Sequence, residues 1–173
     1  MKKIFMTLAA AVMAVTMNAQ VYVGGGVGVA NTDNGNNDYT TFKFVPEVGY
    51  VFNEDWAAGI AFGWQGANKG NAKEWTINPY VRYTIFNGKI VDAFLDGSIG
   101  YGHLYNAGYD TDELSIGIKP GVAVKLNNRL SLVTHIGFVG YAHEKDNNTD
   151  TKVDNWGLSL DGNNIVFGLY YNF

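Results

Sequence analysis

The sequence predicts an all-β protein, an eight-stranded antiparallel up-and-down transmembrane β-barrel. Three observations predict it. Apolar residues alternate with small or polar ones along most of the chain, the signature of strands with two unlike faces. The chain has 22 Gly and 14% aromatic residues beside only 3 Pro, too much glycine for helices and too many aromatics for disorder. Long polar stretches and short turns also follow one another in strict alternation, as in membrane barrels, where one side carries the long connections and the other the short ones.

Processing comes first. Lys2 and Lys3 precede an apolar run from Ile4 to Val15, followed by Thr16-Met17-Asn18-Ala19. This is the layout of a secretory signal peptide cut after Ala19. An apolar run of about 12 residues falls short of the ~20 that a spanning helix needs. The division is therefore a signal peptide over 1–19 and a single barrel domain over 20–173, about 154 residues long. The chain has no Cys, which excludes a disulfide framework and a lipidated N-terminus. Loss of Lys2 and Lys3 takes the net charge from -4 to about -6, so no basic field attracts nucleic acid. Past residue 19 no segment approaches a helical span, and a membrane crossing then requires a closed barrel that pairs every backbone group.

Strand one begins at Gln20, with Val21, Val23, Val27 and Val29 opposite Tyr22, Gly24, Gly26 and Gly28. Residues Asn31 to Thr40 read as a polar loop. Strand two sets Phe42, Phe44, Val48, Tyr50 and Phe52 against Lys43, Val45, Glu47 and Gly49; after a turn at Asn53-Glu54-Asp55, strand three sets Trp56, Ile60, Phe62 and Trp64 against Ala57, Gly59, Ala61 and Gly63. A second loop spans Ala67 to Lys73. Strand four carries Trp75, Ile77, Val81, Tyr83 and Ile85 against Thr76, Asn78, Tyr80 and Arg82, and Asn87-Gly88 is a strong turn signal. Strand five sets Leu95, Ile99 and Tyr101 against Asp96, Ser98, Gly100 and Gly102. Asn106 to Asp112 reads as the third loop. Strand six sets Leu114, Ile116, Ile118, Val122 and Val124 against Ser115, Gly117, Lys119, Gly121 and Lys125. Strand seven follows the Asn127-Asn128-Arg129 turn, with Leu130, Leu132, Thr134, Ile136 and Phe138 against Ser131, Val133, His135 and Gly137. The longest loop is expected from His143 to Asn164, its stretch Trp156 to Leu160 left unplaced. Strand eight, Ile165 to Phe173, closes the barrel against strand one.

In nearly every strand the continuous face is Val, Ile, Leu and Phe, and the opposite face is Gly, Ala, Ser and scattered charges. A soluble barrel with a ligand cavity would show the reverse. Pro46, Pro79 and Pro120 recur on the apolar face of the even strands, seven or eight residues before Asn53, Asn87 and Asn127. The four hairpins look like copies of one unit. A proline lacks the N–H that a ladder requires, so each predicts a bulge or a lost hydrogen bond. Two aromatic belts are expected. Phe42, Trp64, Trp75 and Phe138 form the one at the loop ends, and Tyr50, Phe52, Trp56, Tyr83, Tyr171 and Phe173 the one at the turn ends.

With these eight segments, the leader and the terminal Tyr170-Tyr171-Asn172-Phe173, the sequence resembles the small outer-membrane β-barrels of Gram-negative bacteria, the OmpA/OmpX-like group often labelled a porin family. The resemblance covers the mature chain and implies location in the cell outer membrane, contact with its lipid and a monomeric barrel. It also implies that Phe167, Leu169, Tyr171 and Phe173 are the signal read by the barrel-assembly machinery. The chain stops at Phe173, so no peptidoglycan-binding domain is expected after the barrel.

The inward parity collects charge. If strands four and five pair symmetrically about Lys89, Arg82 faces Asp96. Glu47, Lys119 and His135, with Lys43 and Lys125, share that face and could join a network. An eight-stranded barrel is only wide enough to be filled by side chains, so a structural plug is expected over a gate. Lipid-A deacylases and palmitoyl transferases also use eight-stranded barrels, and a hydrolase of that kind needs a His and a Ser within hydrogen-bond reach. His135 and Ser131 lie about 13 Å apart along one strand, His103 and His143 have no adjacent Ser, and no His-x-Ser motif occurs. No enzyme, cofactor or metal is expected. Asp146, Asn148, Asp150 and Asp154 resemble the start of a calcium loop, but Thr151 and Gly157 stand where Gly and Glu are required. The functional expectation is a structural or surface-interaction role through the loops, with a narrow porin-like channel for ions or small solutes as the alternative.

Overall fold

The computed structural model describes residues 21–33, 38–68, 73–106, 109–149, 151–159 and 166–173. The signal peptide expected over 1–19 lies outside them. Ten strand segments build the molecule: β1 Val21–Asp33, β2 Asp38–Val51, β3 Trp56–Ala67, β4 Lys73–Asn87, β5 Val91–Asn106, β6 Tyr109–Lys125, β7 Leu130–His135, β8 Phe138–Asp146, β9 Lys152–Ser159 and β10 Val166–Asn172. Strands β1 to β7 pair each with the next, and β10 lies between β7 and β1. That ring of eight is closed and antiparallel. On the loop side β8 carries β7 onward beside β6, and β9 pairs with β8.

Closure depends on the seam. Tyr170 of β10 stands opposite Gly24 of β1, and a Cβ on Gly24 would come within 2.6 Å of the Tyr170 ring. The missing side chain makes room for the ring inside the barrel. Phe173 N–H adds a 3.0 Å hydrogen bond to the Val21 carbonyl, tying the last residue to the first described one.

The faces divide as the alternation predicts. Val27, Phe44, Phe62, Trp64, Ile85, Ile116 and Phe167 are exposed on the outside, whereas the buried cluster of Tyr22, Ala57, Tyr80, Phe94, Val133 and Tyr170 fills the lumen. An aqueous protein would leave this outer surface at a cost of roughly 25 cal/mol for each apolar Å². Lipid removes that cost. Among the described residues no helix is long and apolar enough to cross a membrane.

The three prolines show the expected defects in two forms. The β2–β3 ladder skips from Phe44↔Trp64 to Glu47↔Ala61, and the β4–β5 ladder from Ile77↔Tyr101 to Tyr80↔Ser98, both without a change of register. Pro46 and Pro79 sit in those gaps. Opposite Pro120 the partner strand accommodates the missing donor instead. Between Gly121↔His135 and Ile118↔Val139 the β7–β8 side holds one extra residue. Gly137 takes φ 81° there, and the Ile136 N–H reaches the Pro120 carbonyl at 2.8 Å. Only glycine adopts that φ without strain.

This bulge corrects one expectation. The extra residue inverts the parity beyond it, so Phe138, expected in the outer belt, points into the lumen over Gly117 and Gly140, and Val139 and Tyr141 point out. The loops also differ. Segments expected as loops at 31–40, 106–112 and 143–164 are in large part strand. Trp156 to Ser159 belong to β9, in a β8–β9 hairpin with Trp156 opposite Tyr141. The ladders continue through these stretches, where the sequence alternation fades although backbone pairing persists.

Candidate functional site in the barrel lumen

The lumen is crossed by one cluster around Arg82. Its register follows from the β4–β5 hairpin, in which Arg82 pairs with Asp96. The guanidinium grips that carboxylate with two bonds, Nε to Oδ1 at 2.7 Å and Nη2 to Oδ2 at 2.8 Å. Glu47 of β2 approaches the same guanidinium, its Oε1 3.6 Å from Nη2. His135 of β7 completes the set, Nε2 standing 2.8 Å from Asp96 Oδ2. Asp96 and Glu47 are 3% and 7% exposed.

Three tyrosine hydroxyls satisfy what the cation leaves. Tyr80 donates to Glu47 Oε1, and Tyr170 donates to Oε2 at 2.5 Å. Tyr22 and Tyr80 join hydroxyl to hydroxyl. The guanidinium lies 3.9 Å from the centre of the Phe94 ring, and the rings of Tyr80, Tyr22 and Tyr170 follow at 5.3, 5.7 and 6.0 Å. Arginine suits this place because its delocalised charge stacks on aromatic faces while its fork holds a carboxylate. Both carboxylates are thus paired and hydrogen-bonded, the condition for keeping ions out of water. The long rings fit because the facing positions are glycine: a Cβ on Gly49 or Gly59 would collide with Tyr22 or Tyr80.

Of the residues singled out in the sequence, Arg82, Asp96, Glu47 and His135 come together. Lys119 does not. It pairs in register with Asp96, but its Nζ rises away to sit 5.8 Å from the Phe138 ring. Lys125 is at the turn end, held by Asp92, Asn87 and the Gly88 carbonyl at 2.8 to 2.9 Å. Lys43 and Lys119 line a cavity of about 270 Å³ whose floor is Glu47, Tyr80, Asp96 and Tyr170. Tyr22 and Phe94 were missed as members of the cluster; the available signal was a large inward ring facing glycine.

Phe167, Leu169, Tyr171 and Phe173 lie on the outer face of β10, 58%, 51%, 37% and 40% exposed. At the loop end two matching constellations occur on the outer face. Tyr101 and His103 both bond Asp112 Oδ1 at 2.8 Å, and Tyr141 and His143 both bond Asp154 Oδ1 at 2.6 Å. Among the described residues no group of three or more His, Cys, Asp or Glu is arranged to hold a metal. Asp146, from the calcium-like stretch, instead caps its own turn, accepting the Asn148 and Thr149 N–H groups at 2.8 and 3.3 Å.

A closed antiparallel ring with an apolar exterior and a charged, filled interior defines a membrane β-barrel protein. The model of the outer membrane protein beta-barrel domain family matches residues 4–173, and the chain belongs to that family. Among solved structures it is similar to Neisserial surface protein A, at 14% identity and a TM-score of 0.55, over 88% of this chain and 97% of that one. The outer membrane protein OprG from Pseudomonas aeruginosa is similar at 11% identity and a TM-score of 0.55, over 89% and 96%. The Yersinia pestis protein Ail shows 15% identity and a TM-score of 0.48 over 89% and 99%. At these identities the first two likenesses speak for the fold. A search of curated proteins returned no match.

Proposed function

We propose that this outer membrane barrel has a structural or surface-interaction role and carries no steady ion current. The observation that carries the reading is the Arg82 cluster. It draws groups from β1, β2, β4, β5, β7 and β10 to one level of the lumen, leaving the loop-end strands as the part that meets the surroundings. The second reading is a narrow porin-like channel, favoured by the cavity above the cluster. Conductance of the purified barrel in planar bilayers separates them. The plugged barrel gives no steady single-channel steps. Steps that change in Arg82→Ala or Asp96→Ala would put a channel in its place.

The chemistry of the site argues against catalysis. His135 spends Nε2 on Asp96, and Ser131 lies four residues away along the same strand. Among the described residues His103 and His143 have aspartate and tyrosine neighbours and no hydrogen bond to a serine nucleophile, which acyl transfer would need. Outer-membrane lipid is the partner of the exterior, a monomer is sufficient to close the ring, and export uses the cleaved leader at 1–19. The outward side chains of β10 form the strand handed to the barrel-assembly machinery. Phe173→Ala should lower the amount of folded protein in the outer membrane, by quantitative membrane fractionation, while periplasmic export stays normal; an unchanged yield contradicts that role.

A further inference from the structure

Above the Arg82 cluster the lumen presents polar groups that the fold leaves without partners. Lys43 of β2 and Lys119 of β6 line the cavity together with Thr76, Asn78 and Ser98. Among the described residues no carboxylate oxygen lies within 4.0 Å of either lysine nitrogen, and the side chains of Thr76, Asn78 and Ser98 make no hydrogen bond. Of the charged groups that line the chamber, Lys43 and Lys119 stand with Glu47 and Asp96, and both carboxylates are already held by Arg82 below. Glu113 stands nearer the mouth, across the β5–β6 ladder from Gly102, with Glu144 in register beside it and Glu74 close by, and none of the three lines the cavity. A cation inside a narrow lumen is stabilised by a counterion brought close to it, and here the place for one is open.

The rest of the wall is apolar. Val45 and Val133 contribute, and so does Phe138, carried inward by the Gly137 bulge to lie under Lys119. The volume of about 270 Å³ falls just under the ~300–1,000 Å³ of ordinary ligand pockets, which limits the occupant to a few heavy atoms. The floor is sealed by the buried cluster, so the approach is from the loop side.

We infer that this cavity is a blind binding site for a small carboxylate with a short apolar body. Lys43 and Lys119 take the carboxylate, Thr76, Asn78 and Ser98 supply hydrogen bonds, and the body lies against Phe138 and Val133. The site is read by binding and not by flux. A conducting barrel would therefore overturn the plug without touching this inference.

The test is titration of the folded mature chain in detergent micelles with sodium butyrate, sodium phosphate and tetramethylammonium chloride, followed by calorimetry and by amide shifts in ¹⁵N-labelled protein. Butyrate binds saturably and moves the Ser98, Gly137 and Phe138 amides. Lys119→Gln and Lys43→Gln each weaken it about tenfold, equivalent to ~1.4 kcal/mol, and Glu113→Gln tightens it. Heat-modifiable gel migration identifies the folded variants, and Phe138→Leu supplies a second lesion that keeps both charges. Absence of saturable butyrate binding overturns the inference. So does full affinity in the Lys43→Gln/Lys119→Gln double variant, or equally tight binding of phosphate or tetramethylammonium.

Discussion

Removing the guanidinium of Arg82 would leave Glu47 and Asp96 sharing one level of the lumen with only hydroxyl and imidazole donors beside them. Losing one partner of a buried ionic group costs about 3–5 kcal/mol, because the remaining charges stay buried without compensation. Arg82→Ala should therefore destabilise the barrel by that amount in urea titration from lipid bilayers, and adding Asp96→Asn should recover part of the loss. An Arg82→Ala barrel as stable as the wild type would show that the cluster does not hold the lumen. The Arg82–Asp96 register is legible in the sequence because a short hairpin fixes register by its turn. The hydroxyls are not: Tyr22 and Tyr80 are 58 residues apart, and Tyr170 and Glu47 are 123 apart. Nothing local says how far a ring leans across a barrel.

The strands were readable where lipid imposes alternation and unreadable where it stops doing so. Inside the apolar band the outward positions are apolar with few exceptions, such as Thr134 beside Phe167, and the eight segments follow directly. Beyond it the sequence of 31–40 and 143–164 loses the period of two and gains Asn, Asp and Gly, although Trp156 and Leu158 are still exposed beside Tyr141 and Val139. Both stretches resemble loops, yet β1, β2, β8 and β9 continue through much of them. The Gly137 bulge is a different failure. A single extra residue opposite Pro120 reverses every side chain beyond it, and the sequence shows only a glycine where glycines are common. At the tip of the β8–β9 hairpin Asp146 is held below the usual carboxylate range, chiefly by the backbone N–H of Asn148. The sign follows from linkage. A carboxyl depressed in the folded state stabilises the turn above its unfolded value of about 3.9, and that support is lost as pH falls through the lower folded value. The Asn148 and Thr149 amide resonances should titrate with a midpoint below that of an ordinary aspartate; a midpoint at or above it would mean that the turn is not capped this way.

At the scale of the whole molecule, a ring of eight strands solves the edge problem by having no edge, and its width dictates that side chains fill the centre. The sequence supplies that filling in a consistent arrangement: large rings from β1, β4, β5 and β10 face glycine or small residues, and charges of both signs meet at one level. The cavity above the cluster and the packed residues below it are then separate compartments. The protein lacks cysteine, so a single introduced thiol can report which compartment is reached from which side. Ser98 lines the cavity above the cluster, whereas Ser131, 8% exposed, lies toward the turn end and outside that cavity. In intact cells treated with a membrane-impermeant thiol reagent, Ser98→Cys should be labelled from outside and Ser131→Cys should stay unlabelled until the outer membrane is opened. Labelling of Ser131→Cys in intact cells, at a rate comparable to Ser98→Cys, would contradict a lumen closed by Arg82 and its partners.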